Sequence, residues 1–276
     1  VMARIHQVIA DIAPHDSVER FTGLGVDVQL GHATIVNPWT VEIKGKDGTT
    51  QRLTTRNIVI AAGARPFVPP LPGLDSVGYV TSDTLWDAFA QMEEMPRRMV
   101  VLGGGPIGCE LSQAFARLGA EVSQVEMAPR IMGREDEEVS ELARKALQAD
   151  GVQVLVGHKA LRCETTADGA KAIIVEHQGQ EVRLEFDALI VAVGRAARLT
   201  GYGLEELGIP TQKTVETNEY LQTLYPNIYA AGDVAGPFQF THTAAHQAWY
   251  AAVNALFGDF KKFKADYSVI PWATFV

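Results

Sequence analysis

Cysteine is nearly absent: 2 residues in 276, Cys109 and Cys163, far apart in the chain. That excludes a disulfide framework and makes a reducing cytoplasm the expected location. Positive charge is also scarce, with 24 Lys and Arg against 33 Asp and Glu and a formal net charge of −9. A nucleic-acid or anionic-membrane partner calls for a basic face, so neither is expected. Long apolar runs are missing too. The longest, Ile58–Ala62 and Ala188–Val193, are too short to cross a bilayer and read as buried strands. Val1–Ile12 lacks the apolar core and small-residue cleavage site of a secretory signal. No segment is of low complexity. Position 1 is not methionine, and both ends read as cuts through structure. The chain opens inside an expected helix, Val1–Ala13, and stops in a strand-like run, Ser268–Val276.

The first third predicts an antiparallel meander, with strands near Val26–Gln29, Ala33–Val36, Thr40–Ile43 and Gln51–Thr54. Asn37-Pro38 and Asp47-Gly48 supply turn chemistry between them. The meander feeds a buried strand, Asn57–Ala61, and a proline-rich crossing, Pro66–Pro72. From Met99 the pattern is βαβ, followed by a second meander, Ala160–Phe186, and the buried strand Ala188–Val193. A last strand, Ile228–Ala231, leads to a long helix, Thr243–Leu256.

Gly103-Gly104-Gly105-Pro106-Ile107-Gly108 fits G-x-G-x-x-G. The first glycine of that pattern allows a tight turn, the second a close approach to a pyrophosphate, the third close helix–strand packing. The anion then sits on free N–H groups at the positive end of the following helix. The string alone also describes an ordinary glycine-rich turn. Here it follows an apolar strand, opens a helix, and is succeeded by Glu126 at the end of the next strand, the context that dinucleotide binding requires. A carboxylate at Glu126 accepts hydrogen bonds from ribose hydroxyls and repels a 2′-phosphate, which favours NAD(H) over NADP(H). Arg130 and Arg134 are close in sequence and leave a 2′-phosphate site open, with solvated surface arginines as the plainer reading.

Ile228-Tyr229-Ala230-Ala231-Gly232-Asp233 is the second signal: a buried strand ending in Gly-Asp, which sets a carboxylate beside a backbone turn. Downstream of a complete nucleotide-binding unit, it points to a second cofactor. The order of Ala61-Ala62-Gly63-Ala64-Arg65-Pro66, the glycine loop, Val193-Gly194-Arg195 and Ile228–Val234 resembles the class I pyridine nucleotide–disulfide oxidoreductases. The resemblance extends over essentially the whole chain. Its nearest branch holds dihydrolipoamide dehydrogenase, soluble transhydrogenase, glutathione reductase and mercuric reductase-like flavoproteins.

The resemblance implies an α/β fold of two nested three-layer (ββα) Rossmann-like domains. Residues 1–79 and 195–264 would be pieces of an FAD domain, 80–194 an NAD(H) domain, and 265–276 the start of an interface domain that makes a homodimer. It assigns Gly103, Gly105, Pro106, Ile107, Gly108, Glu126, Met127, Arg130 and Gly194 to the nicotinamide dinucleotide. It assigns Ala61, Ala62 and Gly63 to FAD, with His32 and Ala33 lining the adenine and Arg195 near the pyrophosphate. Gly232 and Asp233 would meet the ribityl chain, and Phe240, Thr241, His242 and Thr243 the pyrimidine end of the flavin. Glu110 matches a carboxylate supporting a lysine beside flavin N5, with a favourable acid in the first helical turn as the alternative. Ala62 departs mildly from the family, which often has threonine there.

His242 and His246 are spaced for one helix face, but no third ligand is evident and no metal is expected. Cys109 and Cys163 lack the family's Cys-x4-Cys spacing and read as packing residues. The redox cysteines and their acid–base partners would lie outside this chain. The implied activity is electron transfer between NAD(P)H and a disulfide-type or metal-ion acceptor through FAD and a cysteine pair. A flavoprotein without the redox disulfide, of transhydrogenase or NADH oxidase type, and a non-catalytic nucleotide-binding module are the alternatives.

Overall fold

A computed structural model describes all residues, Val1–Val276. In chain order the elements begin with α1 (Met2–Ile12), a 3₁₀ turn (Ala13–Asp16) and α2 (Val18–Gly23). Five strands follow: β1 (His32–Asn37), β2 (Thr40–Lys44), β3 (Thr50–Thr54), β4 (Ile58–Ile60) and β5 (Ala64–Pro66). Short helices α3 (Leu74–Val77) and α4 (Leu85–Ala90) lead to β6 (Arg98–Leu102), α5 (Pro106–Arg117), β7 (Glu121–Glu126) and α6 (Glu137–Ala149). Then come β8 (Gln153–Val156), β9 (Lys159–Thr165), β10 (Lys171–His177), β11 (Gln180–Phe186), β12 (Ala188–Val191) and β13 (Arg195–Ala197). The last elements are β14 (Ile228–Ala230) and α7 (Thr241–Phe257), after which no helix or strand forms. It folds as two compact units.

The first unit comprises Val1–Gln7, Pro66–Arg195 and Ala273–Val276. Its parallel sheet has the order β12-β6-β7-β8, and an antiparallel sheet has the order β11-β10-β9. Period-2 alternation builds three layers from it. Met99, Val101, Val122 and Ile190 join a core with Cys109, Phe115, Ala143 and Leu147 of α5 and α6. Val100, Leu102, Leu189 and Val191 join a second core with Cys163, Ile173, Val175 and Phe186 of the antiparallel sheet. A strand sandwiched this way reads as a continuous apolar run, as Met99–Leu102 does.

The second unit comprises Val8–Arg65 and Ala196–Trp272. It holds the meander β1-β2-β3 and the parallel pair β14-β4. Alternation again assigns the faces: Ile228 and Ala230 join Ile35, Ile58, Ile60 and Leu204, while Tyr229 and Ala231 face Ala251 of α7.

Two expected strands do not form. Val26–Gln29 has β-type composition but makes no ladder, and Val26 is half exposed. Ser268–Val276 forms no strand. No helix is long and apolar enough to cross a membrane.

Met99 is 1% exposed at the centre of the first unit's core. Met99→Ala is expected to destabilise the chain by about 2–5 kcal/mol in urea unfolding, the range for emptying a buried site of this size. A loss below ~1 kcal/mol would show that this core is not close-packed.

Candidate functional site

In the first unit, β6 delivers the chain to Gly103 at the C-terminal edge of the parallel sheet, where α5 begins. Gly103 has φ +119°, and a Cβ there would lie 2.3 Å from the Ala192 carbonyl oxygen. A Cβ on Gly108 would lie 2.2 Å from the Gly103 carbonyl oxygen. Both positions therefore exclude any side chain, the first by conformation and contact, the second by contact alone. Gly105 differs: nothing lies within 4 Å of its would-be Cβ, so the loop is open on that side.

The backbone groups of the turn divide sharply. The Gly103 N–H donates to the Val125 carbonyl at 2.8 Å, and the Gly104 carbonyl accepts from the Met132 N–H at 2.6 Å. Met132 adopts φ +47°, a left-handed conformation uncommon for a side chain of this size, to make that contact. The Gly104 N–H donates to Glu126 Oε2 at 2.7 Å, and Glu126 Oε1 accepts the Ala128 N–H at 2.7 Å. The first intrahelical bond of α5 runs from the Cys109 N–H to the Gly105 carbonyl. The earlier N–H groups, on Ile107 and Gly108, precede it and have no intrahelical acceptor. Gly105 provides no side-chain cap. This helix end thus presents N–H donors and the positive end of its dipole.

The other expected site residues that fall in this unit are placed as follows. Met127 is 75% exposed just beyond β7. Arg130 is tied to its own loop, donating to the Glu135 carbonyl at 2.7 Å and the Gly133 carbonyl at 3.0 Å. Gly194 has φ +123°, and its carbonyl accepts the Phe67 N–H at 2.9 Å. Arg195 pairs with Asp83 at 3.4 Å. Glu110 Oε1 accepts the Phe275 N–H at 3.0 Å.

In the second unit, a cleft of about 570 Å³ is lined by His32, Ala33, Ala61 and Ala62, and also by Arg65, Arg198, Thr200 and Tyr202. Its mixture of aliphatic walls with a few polar groups suits a nucleoside. His32 Nε2 lies 2.7 Å from the Gly201 carbonyl, and the Tyr202 hydroxyl donates to the Arg198 carbonyl at 2.7 Å. Burial, with Glu205 adding to it, pushes the Tyr202 phenol up to about 12. The Gly63 carbonyl accepts the Arg198 N–H at 3.0 Å, joining the two segments that border the cleft. Arg198, Thr200 and Tyr202 were not foreseen from the sequence, because no motif marks them.

Where β14 ends, Gly232 has φ +81° and donates its N–H to Gln247 Oε1 at 2.6 Å. That bond fastens the Gly-Asp turn to α7 and sets Asp233 beside it. Phe240 precedes α7 and stacks on His242 and Trp272, with ring centroids 5.3 and 6.0 Å apart. Thr241 and His242 are exposed, while Thr243 is fully buried with no hydrogen-bond partner for its Oγ1. His246 Nε2 lies 2.7 Å from the Asp266 carbonyl, and its ring packs on Tyr250 and Tyr267.

Residues 3–248 match the family described as pyridine nucleotide-disulphide oxidoreductase. The chain is 35% identical over 262 residues to a mercuric reductase from Staphylococcus aureus, covering 94% of this chain and 45% of that protein. It is 34% identical to a dihydrolipoyl dehydrogenase from Bacillus subtilis (strain 168), covering 86% of this chain and 50% of the relative. The fold is similar to that of the HOCl-induced flavoprotein disulfide reductase RclA from Escherichia coli, solved as a mutant in complex with Cu(II). That match has a TM-score of 0.86 at 26% identity and covers 99% of this chain and 60% of that one. The chain spans about half the length of the curated relatives it matches.

Both thiols are free and buried, and burial pushes each up to about 11. At pH 8 a thiol reagent is expected to label neither cysteine until the chain is denatured, because attack requires thiolate. The folded thiols hold their protons above the ordinary value of 9.0, so their contribution to stability is complete below pH 9 and is lost as pH rises towards 11. Rapid labelling of both thiols in the native chain at pH 8 would contradict this placement.

Proposed function

Because the chain belongs to the pyridine nucleotide-disulphide oxidoreductase family, we propose that it is the cofactor-binding portion of an FAD- and NAD(H)-dependent oxidoreductase. The observation that carries this reading is the division of backbone groups at Gly103–Gly108. Carbonyls that would repel an anion are bonded inward, and the N–H groups at the start of α5 remain on the open side. When bound, NAD(H) and FAD supply hydride and electron transfer that no side chain performs alone.

The residues present fit both groups. In the first unit, Gly105, Ile107 and Gly108 hold the pyrophosphate of the nicotinamide dinucleotide. Glu126 spends one bond per oxygen on backbone, which leaves lone pairs for ribose hydroxyls and keeps a negative charge where a 2′-phosphate would sit. Arg130 donates to two carbonyls of its own loop, which orders the segment after Glu126, and its remaining N–H donors are available to the nicotinamide dinucleotide. In the second unit, the cleft at His32, Ala33 and Ala62 takes the adenosine of FAD. Asp233 binds the ribityl chain, and the start of α7, with the unpartnered Thr243 hydroxyl, faces the flavin pyrimidine.

For the intact protein the reading is electron transfer to a disulfide-type or metal-ion acceptor through a cysteine pair outside these residues. The protein would act as a homodimer in the cytoplasm. Dihydrolipoyl dehydrogenase and mercuric reductase relatives support that acceptor range without choosing within it.

Calorimetric titration of the chain with NADH and NADPH tests the nucleotide assignment. NADH is expected to bind at least ~10-fold more tightly, equivalent to about 1.4 kcal/mol from the unfavourable charge pair at Glu126. Glu126→Ala is expected to narrow that ratio while weakening NADH. Equal affinity for the two nucleotides in the unaltered chain would refute the assignment of Glu126.

A further inference from the structure

Gln124 has no part in the chemistry proposed above, yet it is fully buried on β7 between the core residues Val122 and Val125. Alternation along β7 places it on the face towards α5, beneath the glycine loop. Its Nε2 donates to the Gly103 carbonyl at 3.1 Å and to Cys109 Sγ at 3.4 Å. Its Oε1 is buried with no hydrogen-bond partner. A strand position of this kind is usually filled by an apolar residue, because a long amide with an unsatisfied oxygen is costly.

Glu126, two residues further along the same strand, holds the Gly104 N–H. The Gly103 carbonyl and the Gly104 N–H belong to one peptide unit. That unit is therefore gripped at both ends from β7, its C=O by Gln124 and its N–H by Glu126. Gly108 makes the arrangement possible, since its would-be Cβ lies 2.2 Å from the Gly103 oxygen and 3.4 Å from Gln124 Nε2. Glycines on both sides offer little resistance to rotation of this unit. A rotated unit would turn the Gly103 carbonyl towards the anion. Cys109, a neutral thiol, donates to the Gly104 carbonyl at 3.5 Å and keeps the next carbonyl inward as well.

We propose that Gln124 is a positioning residue for the pyrophosphate loop, holding the Gly103–Gly104 peptide in the orientation that accepts an anion. The inference rests on the reading of this loop as a nicotinamide-dinucleotide site. It adds that affinity depends on a side chain that never touches the ligand.

The test compares the chain with its Gln124→Met variant, which keeps the length of the side chain and removes the N–H donors. Gln124→Leu, of similar volume, covers the case in which the methionine variant does not fold. Affinities for NADH, ADP and adenosine are measured by titration, and amide hydrogen exchange is followed at Gly104. The expected result is a roughly 10-fold weaker Kd for NADH and for ADP, the size of one lost hydrogen bond's influence on a charged ligand. Adenosine, which carries no phosphate, is expected to bind variant and parent alike, and Gly104 exchange to accelerate. A general loss of folding would weaken adenosine as much as ADP, and that pattern would overturn the inference. So would unchanged NADH affinity together with unchanged Gly104 exchange. If the unaltered chain itself binds no NADH, the functional reading fails first and this inference falls with it.

Discussion

The first unit depends on close backbone approach at one turn: Gly108 at the start of α5 lies against the Gly103 carbonyl at the end of β6, Gly103 lies against the Ala192 carbonyl, and neither glycine has room for a side chain. Backbone at that spacing lets the helix begin at the edge of the sheet, so its unpaired N–H groups face outward from the strand ends. The rest of the unit is arranged to keep that approach. β7 lies beside β6 in parallel and supplies Gln124 and Glu126, which reach the turn from one face of one strand. The loop after β7 returns Met132 to the Gly104 carbonyl, and Arg130 ties that loop to itself. Hydrophobic burial on both faces of the sheet gives these few polar contacts a rigid base.

The second unit uses the same physics with other parts. A buried strand again ends in a glycine of positive φ, and a long helix again begins nearby without a side-chain cap. Here the glycine is fastened by Gln247 from within the helix, whose amide also reaches the Gly236 carbonyl and the Tyr267 hydroxyl. In each unit, then, one buried glutamine joins turn and helix. Alternation assigns Ile228 and Ala230 to one core and Tyr229 and Ala231 to another, so the strand that presents Asp233 is held on both sides.

Much of this was legible because it is written in local chemistry. A G-x-G-x-x-G string after four apolar residues and before a helix states its own geometry, and the strands from Lys171 to Phe186 form where the sequence predicts the second meander. Legibility failed where a property is not local. Val26–Gln29 has the composition of a strand, but no neighbouring strand pairs with it, and composition carries no information about partners. Gln124 reads in Val-Ser-Gln-Val-Glu as an ordinary polar strand residue, and its role appears only when the loop 21 positions earlier is folded above it. Arg198, Thr200 and Tyr202 reach their cleft from more than 130 residues beyond the meander that forms its other wall. The two carbonyls that Arg130 holds within its own loop likewise carry no mark in the sequence.

The central claim is that the N–H groups at the start of α5 hold a dinucleotide. The most direct measurement is an amide ¹H–¹⁵N NMR map of the isotopically labelled chain with and without NADH. The largest shifts are expected at Gly105, Ile107 and Gly108, with a smaller response at the Glu126 turn. Saturating NADH that left these amides unmoved, or moved only amides elsewhere, would contradict it.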